Sequence, residues 1–134
     1  MARAWTKTEA FEHFGVELEN VQWSWSGISR DGGRVAVVLW QDGVKMHEGH
    51  LAYYDDQDLD AEWRDRIGNK RRVLHLVHAR EKLDGCFQAI IAKAADRDAD
   101  LRKIEKCFPQ VEGHWLLEFL DEETGAFRAH IVRK

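Results

Sequence analysis

The sequence predicts an α+β domain: a curved, mainly antiparallel sheet of five or six strands with two or three helices packed against it. Three observations predict it. Residues 21–42 read as two strands joined by an Arg30-Asp31-Gly32-Gly33 turn, and residues 114–132 read as a second hairpin. Asp-Gly and Gly-Gly supply the positive φ angles that tight hairpin turns need. Between the two hairpins the apolar spacing changes to that of a helix. The chain has 134 residues, 44% of them apolar and 33% charged, which suits one domain over residues 1–134 with one core and a solvated surface.

The first element is a short helix over residues 6–14. Thr6 and Glu9 have the spacing of a capping box, Phe11 and Phe14 form an apolar stripe, and Gly15 stops it. In the hairpin that follows, Trp23 and Trp25 share one strand face while Ser24 and Ser26 share the other. Residues 35–40, apolar throughout, fit a strand covered on both faces. Residues 43–54 are compatible with a third strand or with an irregular loop containing His47 and His50. Residues 55–62 then hold five acids, and residues 64–72 hold five bases.

Asn69 is the expected N-cap of a helix reaching Lys82. Its buried stripe is expected at Val73, Leu74, Val77 and the Arg80 stem, and its polar side at Arg71, Arg72, His75, His78 and Lys82. Gly85 serves as its C-cap. A buried strand over residues 86–94 and a polar helix over residues 98–107, closed by Pro109, complete the middle of the chain. In the last hairpin Trp115, Leu117 and Phe119 are expected on one face with Phe127, Ala129 and Ile131. Glu118, Arg128 and His130 take the opposite faces.

Composition excludes some chemistry. No apolar run is long enough for a transmembrane helix, and the N-terminal residues lack the apolar core of a signal peptide, so a cytoplasmic chain is expected. Cys86 and Cys107 have no C-x-x-C partner and read as reduced, buried thiols. Seven histidines include His47/His50 and His75/His78 pairs, but H-E-x-x-H is absent and no metal site is expected. No G-x-S-x-G elbow, P-loop or G-x-G-x-x-G occurs, so neither a catalytic residue nor a cofactor is assigned. An acid-and-lysine nuclease site fails too, because Lys93 lacks an acid two residues before it.

Aromatic and basic residues remain. Bases stack on aromatic faces while arginine and lysine hold phosphate. Trp23, Trp25 and Trp40, with Arg64, Lys70, Arg71, Arg72 and His75, are therefore the candidate nucleic-acid-binding residues. The competing expectations are tryptophans in a core and a basic helix that is simply solvated. A net charge of −4 does not decide between them.

The order Phe14-Gly15-Val16, Trp23-Ser24-Trp25-Ser26-Gly27 and Val37-Val38-Leu39-Trp40-Gln41-Asp42, then Arg71-Arg72-Val73-Leu74-His75-Leu76 and Ile90-Ile91-Ala92-Lys93-Ala94, resembles small bacterial domains. These occur alone or attached to HNH-type endonucleases of modification-dependent restriction systems. The resemblance implies recognition of DNA, including modified DNA, with cleavage assigned to a separate nuclease or effector protein. The HNH cysteine–histidine frame is missing from this sequence, so nuclease activity is not carried over. A barrel-like closure of the PUA type is compatible with the expected fold. Two other functions compete. One is a protein-interaction or regulatory subunit using the acidic run or a sheet edge. The other is a small hydrolase pairing a histidine with Asp42 or Glu48.

Overall fold

A computed structural model describes residues 5–19, 24–47, 50–55, 67–94, 104–110, 113–123 and 125–132. Among them the chain is α+β, with two helices and a mostly antiparallel, open sheet of eight strands. The elements in order are α1 (Lys7–Glu12), β1 (Ser26–Ile28), β2 (Val35–Trp40), β3 (Val44–His47), β4 (His50–Asp55) and α2 (Ile67–Lys82). They continue with β5 (Cys86–Ala94), β6 (Ile104–Pro109), β7 (His114–Leu120) and β8 (Phe127–Val132). No helix is long and apolar enough to cross a membrane.

The strand order is β1-β2-β5-β7-β8-β4-β3, and β5 is where the sheet divides. One edge of β5 pairs parallel with β2, from Ala36 opposite Gln88 to Trp40 opposite Ala92. The other edge serves two partners. β7 takes the first residues, Cys86 opposite Leu116 and Phe87 opposite Trp115, and β6 takes the last, from Ile90 opposite Pro109 onward. The path ends at β1 and β3, which do not pair, so the barrel-like closure does not form.

Period-two alternation gives β2 two buried faces. Val35, Val37 and Leu39 join Phe87, Ala89, Trp115, Phe127, Ala129 and Ile131 beneath Leu76 and Ala79 of α2. Ala36 and Val38 point the other way, to Phe11, Phe14 and Val16 of the α1 region and to Ile90, Ala92 and Cys107. The sheet thus has one helix on each face, α2 over the larger core and α1 over the smaller.

Local signals hold where they involve near neighbours. The Thr6–Glu9 capping box forms in both directions at 3.1 Å, and Gly15 takes φ +76° after the last turn of α1. The β1–β2 turn closes with Ser29 N–H donating to Arg34 O, and Gly32 supplies its positive φ. The ambiguous 43–54 segment becomes the β3–β4 hairpin after a single 3₁₀ turn at Gln41–Gly43. Gly43 is needed there because a Cβ would lie 2.7 Å from the Tyr53 ring.

Several expectations are corrected. Among the described residues the strands number eight, not five or six, partly because residues 104–109 are a strand and not the end of a helix. Lys106 and Phe108 are exposed there while Cys107 and Pro109 are buried, an alternation of two that a helix cannot present. Pro109, which lacks an N–H, is tolerated because, among the described strands, β6 pairs only with β5. Helix α2 buries Arg72, Leu76 and Ala79, while Leu74 is 55% exposed. A bulge between Leu117 and Phe119 turns Phe119 out, so it opposes Arg128 and not the buried Phe127–Ile131 row.

Candidate functional site

Trp25 and Trp40 meet on the α1 face. Trp25 precedes β1 and Trp40 ends β2, and the backbone joins the two strands through Val38 N–H donating to Trp25 O at 2.9 Å. Their ring centroids lie 5.6 Å apart with planes tilted by 51°. Both indoles are only partly buried, with the smaller core behind them. Lys7, in the first turn of α1, places Nζ 4.6 Å from the Trp25 ring centroid, within cation–π range.

Desolvation brings the Lys7 pKa down to about 8, and the neighbouring Cys107 opposes this. Cys107 is buried, its thiol donates to Trp5 O at 3.7 Å, and burial pushes its pKa up. It therefore stays a thiol at neutral pH, which removes the nucleophile from this cluster. Cys86 is raised by desolvation as well. Both cysteines are free. They lie well apart along the sheet, since Cys107 faces Ala92 while Cys86 begins β5.

The basic candidates lie on α2, across the sheet. Arg72 points into the larger core, 5% exposed. Its Nη2 donates to Gly125 O at 3.2 Å and its guanidinium stacks 5.1 Å from the Phe127 centroid. His75 Nδ1 lies 2.6 Å from Ser26 Oγ, and His78 Nε2 lies 2.9 Å from Gly32 O. Arg71 pairs with Glu19 at 3.5 Å, and Lys70 is exposed. Trp23 and Arg64 fall outside the described residues.

The tertiary structure therefore separates the candidates. Trp25 and Trp40 lie on one face, whereas Arg72 and His75 bond to structure on the other. A single pocket walled by tryptophans and bordered by α2 does not assemble from these residues. Among the described residues Lys7 is a cation that reaches Trp25, and no local pattern flags it because the two meet only through folding. The H-x-x-H pair of α2 has a structural use: both imidazoles bond to the β1–β2 hairpin.

Other chemistry finds little geometry. Among the described residues no group of three His, Cys, Asp or Glu could hold a metal. The Ser26–His75 pair has the atoms of a nucleophile and a base, but Ser26 is 2% exposed. The side chains of Asp42 and Glu48, candidates for a histidine–carboxylate site, fall outside the description. No protein-family model, curated protein or solved structure matches this chain.

Proposed function

We propose that this protein is a non-catalytic nucleic-acid-binding module whose contact surface is centred on Trp25, Trp40 and Lys7. One observation carries the proposal: two partly exposed indoles stand 5.6 Å apart with a lysine ammonium above one of them. An exposed indole face stacks on a base, and base–aromatic stacking contributes about 1–3 kcal/mol per base. An ammonium beside the ring supplies the charge for an adjoining phosphate. With a pKa of about 8, Lys7 is mostly protonated at neutral pH. Lys70 and Arg71 belong to the opposite face and act as secondary electrostatic contacts. The reading of modified DNA implied by the family resemblance belongs to the same proposal, with cleavage left to a partner protein.

The test is binding of unmodified, cytosine-modified and adenine-modified DNA at two salt concentrations. Salt-sensitive binding that Trp25→Ala weakens is the expected result. Absence of binding to every probe at low salt overturns the proposal.

A second reading, a protein-interaction subunit, is favoured by Met46. It is 65% exposed on β3, the last strand on its side of the sheet. Loss of a partner or of self-association in Met46→Lys would support that reading.

A further inference from the structure

The bulge in β7 chooses between two neighbouring apolar residues. Up to Leu117 the β7–β8 ladder is regular, with Leu117 opposite Ala129. Glu118 is then left over, Phe119 opposes Arg128, and Leu120 opposes Phe127. Phe127 belongs to the larger core, so Leu120 packs against that core while Phe119 is 51% exposed. The bulge thus sets the smaller side chain against the core and leaves the larger one in water. Apolar area alone favours the reverse.

A second register lies one residue away. Without the bulge, Glu118 faces Arg128, Phe119 faces Phe127 and Leu120 faces Ala126, and the connecting loop is one residue shorter. The ladder from His114 to Leu117 keeps its pairing in both registers. β8 also stays in place, because β4 holds its other edge with Asp55 opposite Phe127. Only the end of β7 and its turn have to move. β5 pairs with β7 at Phe87–Trp115 and Cys86–Leu116, so beyond Leu117 the partner of β7 among the described strands is β8 alone. Glu118 is diagonal to His130 in either register, and the two meet at 3.3 Å in the one observed.

The turn holds the observed register. Asp121 N–H donates to Ala126 O and Gly125 N–H to Asp121 O, both at 2.8 Å. Arg80 of α2 donates to Glu122 Oε2 at 3.2 Å, in an exposed pair of the kind that contributes little to stability. On the β8 side α2 has a firmer hold, since buried Arg72 donates to Gly125 O.

We infer that the β7–β8 hairpin is a two-register switch in which Phe119 and Leu120 exchange places between the core beside Phe127 and the surface. The switch is independent of the nucleic-acid reading, which uses other residues. Its output is the side chain shown on the outer face, an aromatic ring in one register and an aliphatic chain in the other. A partner that binds the displayed ring holds the bulged register, and release of Glu122 from Arg80 favours the regular one.

The experiment is a double-mutant cycle on the full chain, read by urea denaturation, with Phe119→Ser, Leu120→Ser and the double variant. Serine is small and uncharged and replaces neither residue in the core. When Leu120 is lost, Phe119 enters the core in its place, and the double variant removes both. The folded-to-unfolded ratio of the double variant should therefore fall about tenfold below the value expected from multiplying the two single effects, a coupling within the range for contacting residues. Deletion of Glu118 removes the bulged residue and fixes Phe119 outward, so in that background the two substitutions should become additive. In NMR spectra of Leu120→Ser, cross-peaks between the Phe119 and Phe127 rings are expected.

Additive costs in the undeleted chain would overturn the inference. So would a Leu120→Ser variant that unfolds outright while Phe119→Ser folds, or one that folds without contact between the Phe119 and Phe127 rings.

Discussion

His75 Nδ1 lies 2.6 Å from Ser26 Oγ, and this contact fastens helix α2 to strand β1. One turn further along the helix, His78 Nε2 meets Gly32 O at 2.9 Å in the turn that ends the same hairpin. Two imidazoles three residues apart thus hold both ends of one hairpin against one helix. Ser26 is almost completely buried, so its hydroxyl has no water to replace the imidazole.

His75→Ala should therefore destabilise the fold by about 1–3 kcal/mol, the range for orphaning a buried hydroxyl. Urea denaturation measures it. A cost below a few tenths of a kcal/mol would mean that Ser26 finds another partner.

The same residue gives the fold a pH dependence. Desolvation lowers the His75 pKa below its usual value, with Glu19 opposing and Arg71 and His78 reinforcing the shift. The folded state thus binds a proton less readily than the unfolded state. Its contribution to stability is fully present above the unfolded value of about 6.5 and is lost as pH falls through the lower folded value. The denaturation midpoint should drop between neutral and mildly acidic pH. His75→Gln, which cannot titrate, should reduce that drop, and an unchanged drop in the variant would assign it to other groups.

Helix α2 offers a paired test of which face is buried. Leu76 is fully buried among Val35, Val37 and Trp115, whereas Leu74 is exposed. Leu76→Ala should cost about 2–5 kcal/mol. Leu74→Ala should stay within about 0.5 kcal/mol. Thermal melts that rank the two in the other order would refute this orientation of the helix.

Arg72 and Arg71 should part company in the same way. Arg72 is buried with a hydrogen bond to Gly125 O and its guanidinium over Phe127, so Arg72→Ala should cost about 1.5–3 kcal/mol through the lost charged bond. Arg71 holds a partly exposed pair with Glu19, and Arg71→Ala should cost no more than about 1 kcal/mol. Chemical denaturation of the two single variants tests the difference.

Lys7 supplies a functional counterpart. Its charge is present below a pKa of about 8 and is lost as pH rises through that value. If the indole surface binds nucleic acid, affinity should fall as pH rises from neutral through about 8. Lys7→Arg should remove the fall, because arginine remains charged throughout that range. A pH profile identical in wild type and variant would separate Lys7 from binding.

The sequence by itself determined what near neighbours decide. Thr6 and Glu9 form their capping box, Gly32 and Gly85 take positive φ, and β5 and the strands of the final hairpin fall close to where the apolar segments predict. These features depend on residues a few positions apart. Of the candidate site, the closeness of Trp25 and Trp40 was legible as well, since both belong to one hairpin.

Only the tertiary structure decided the rest. A polar residue such as Arg72 or His75 reads as solvent-facing until Gly125, Phe127 and Ser26 arrive from elsewhere in the chain to satisfy it. Phe119 reads as core until a one-residue bulge inverts it. Trp25 and the basic residues of α2 look like neighbours until the sheet comes between them, while Lys7, on a different helix, reaches the ring. Helical and strand periods identify the faces of an element, but which face is covered depends on packing between segments far apart in sequence.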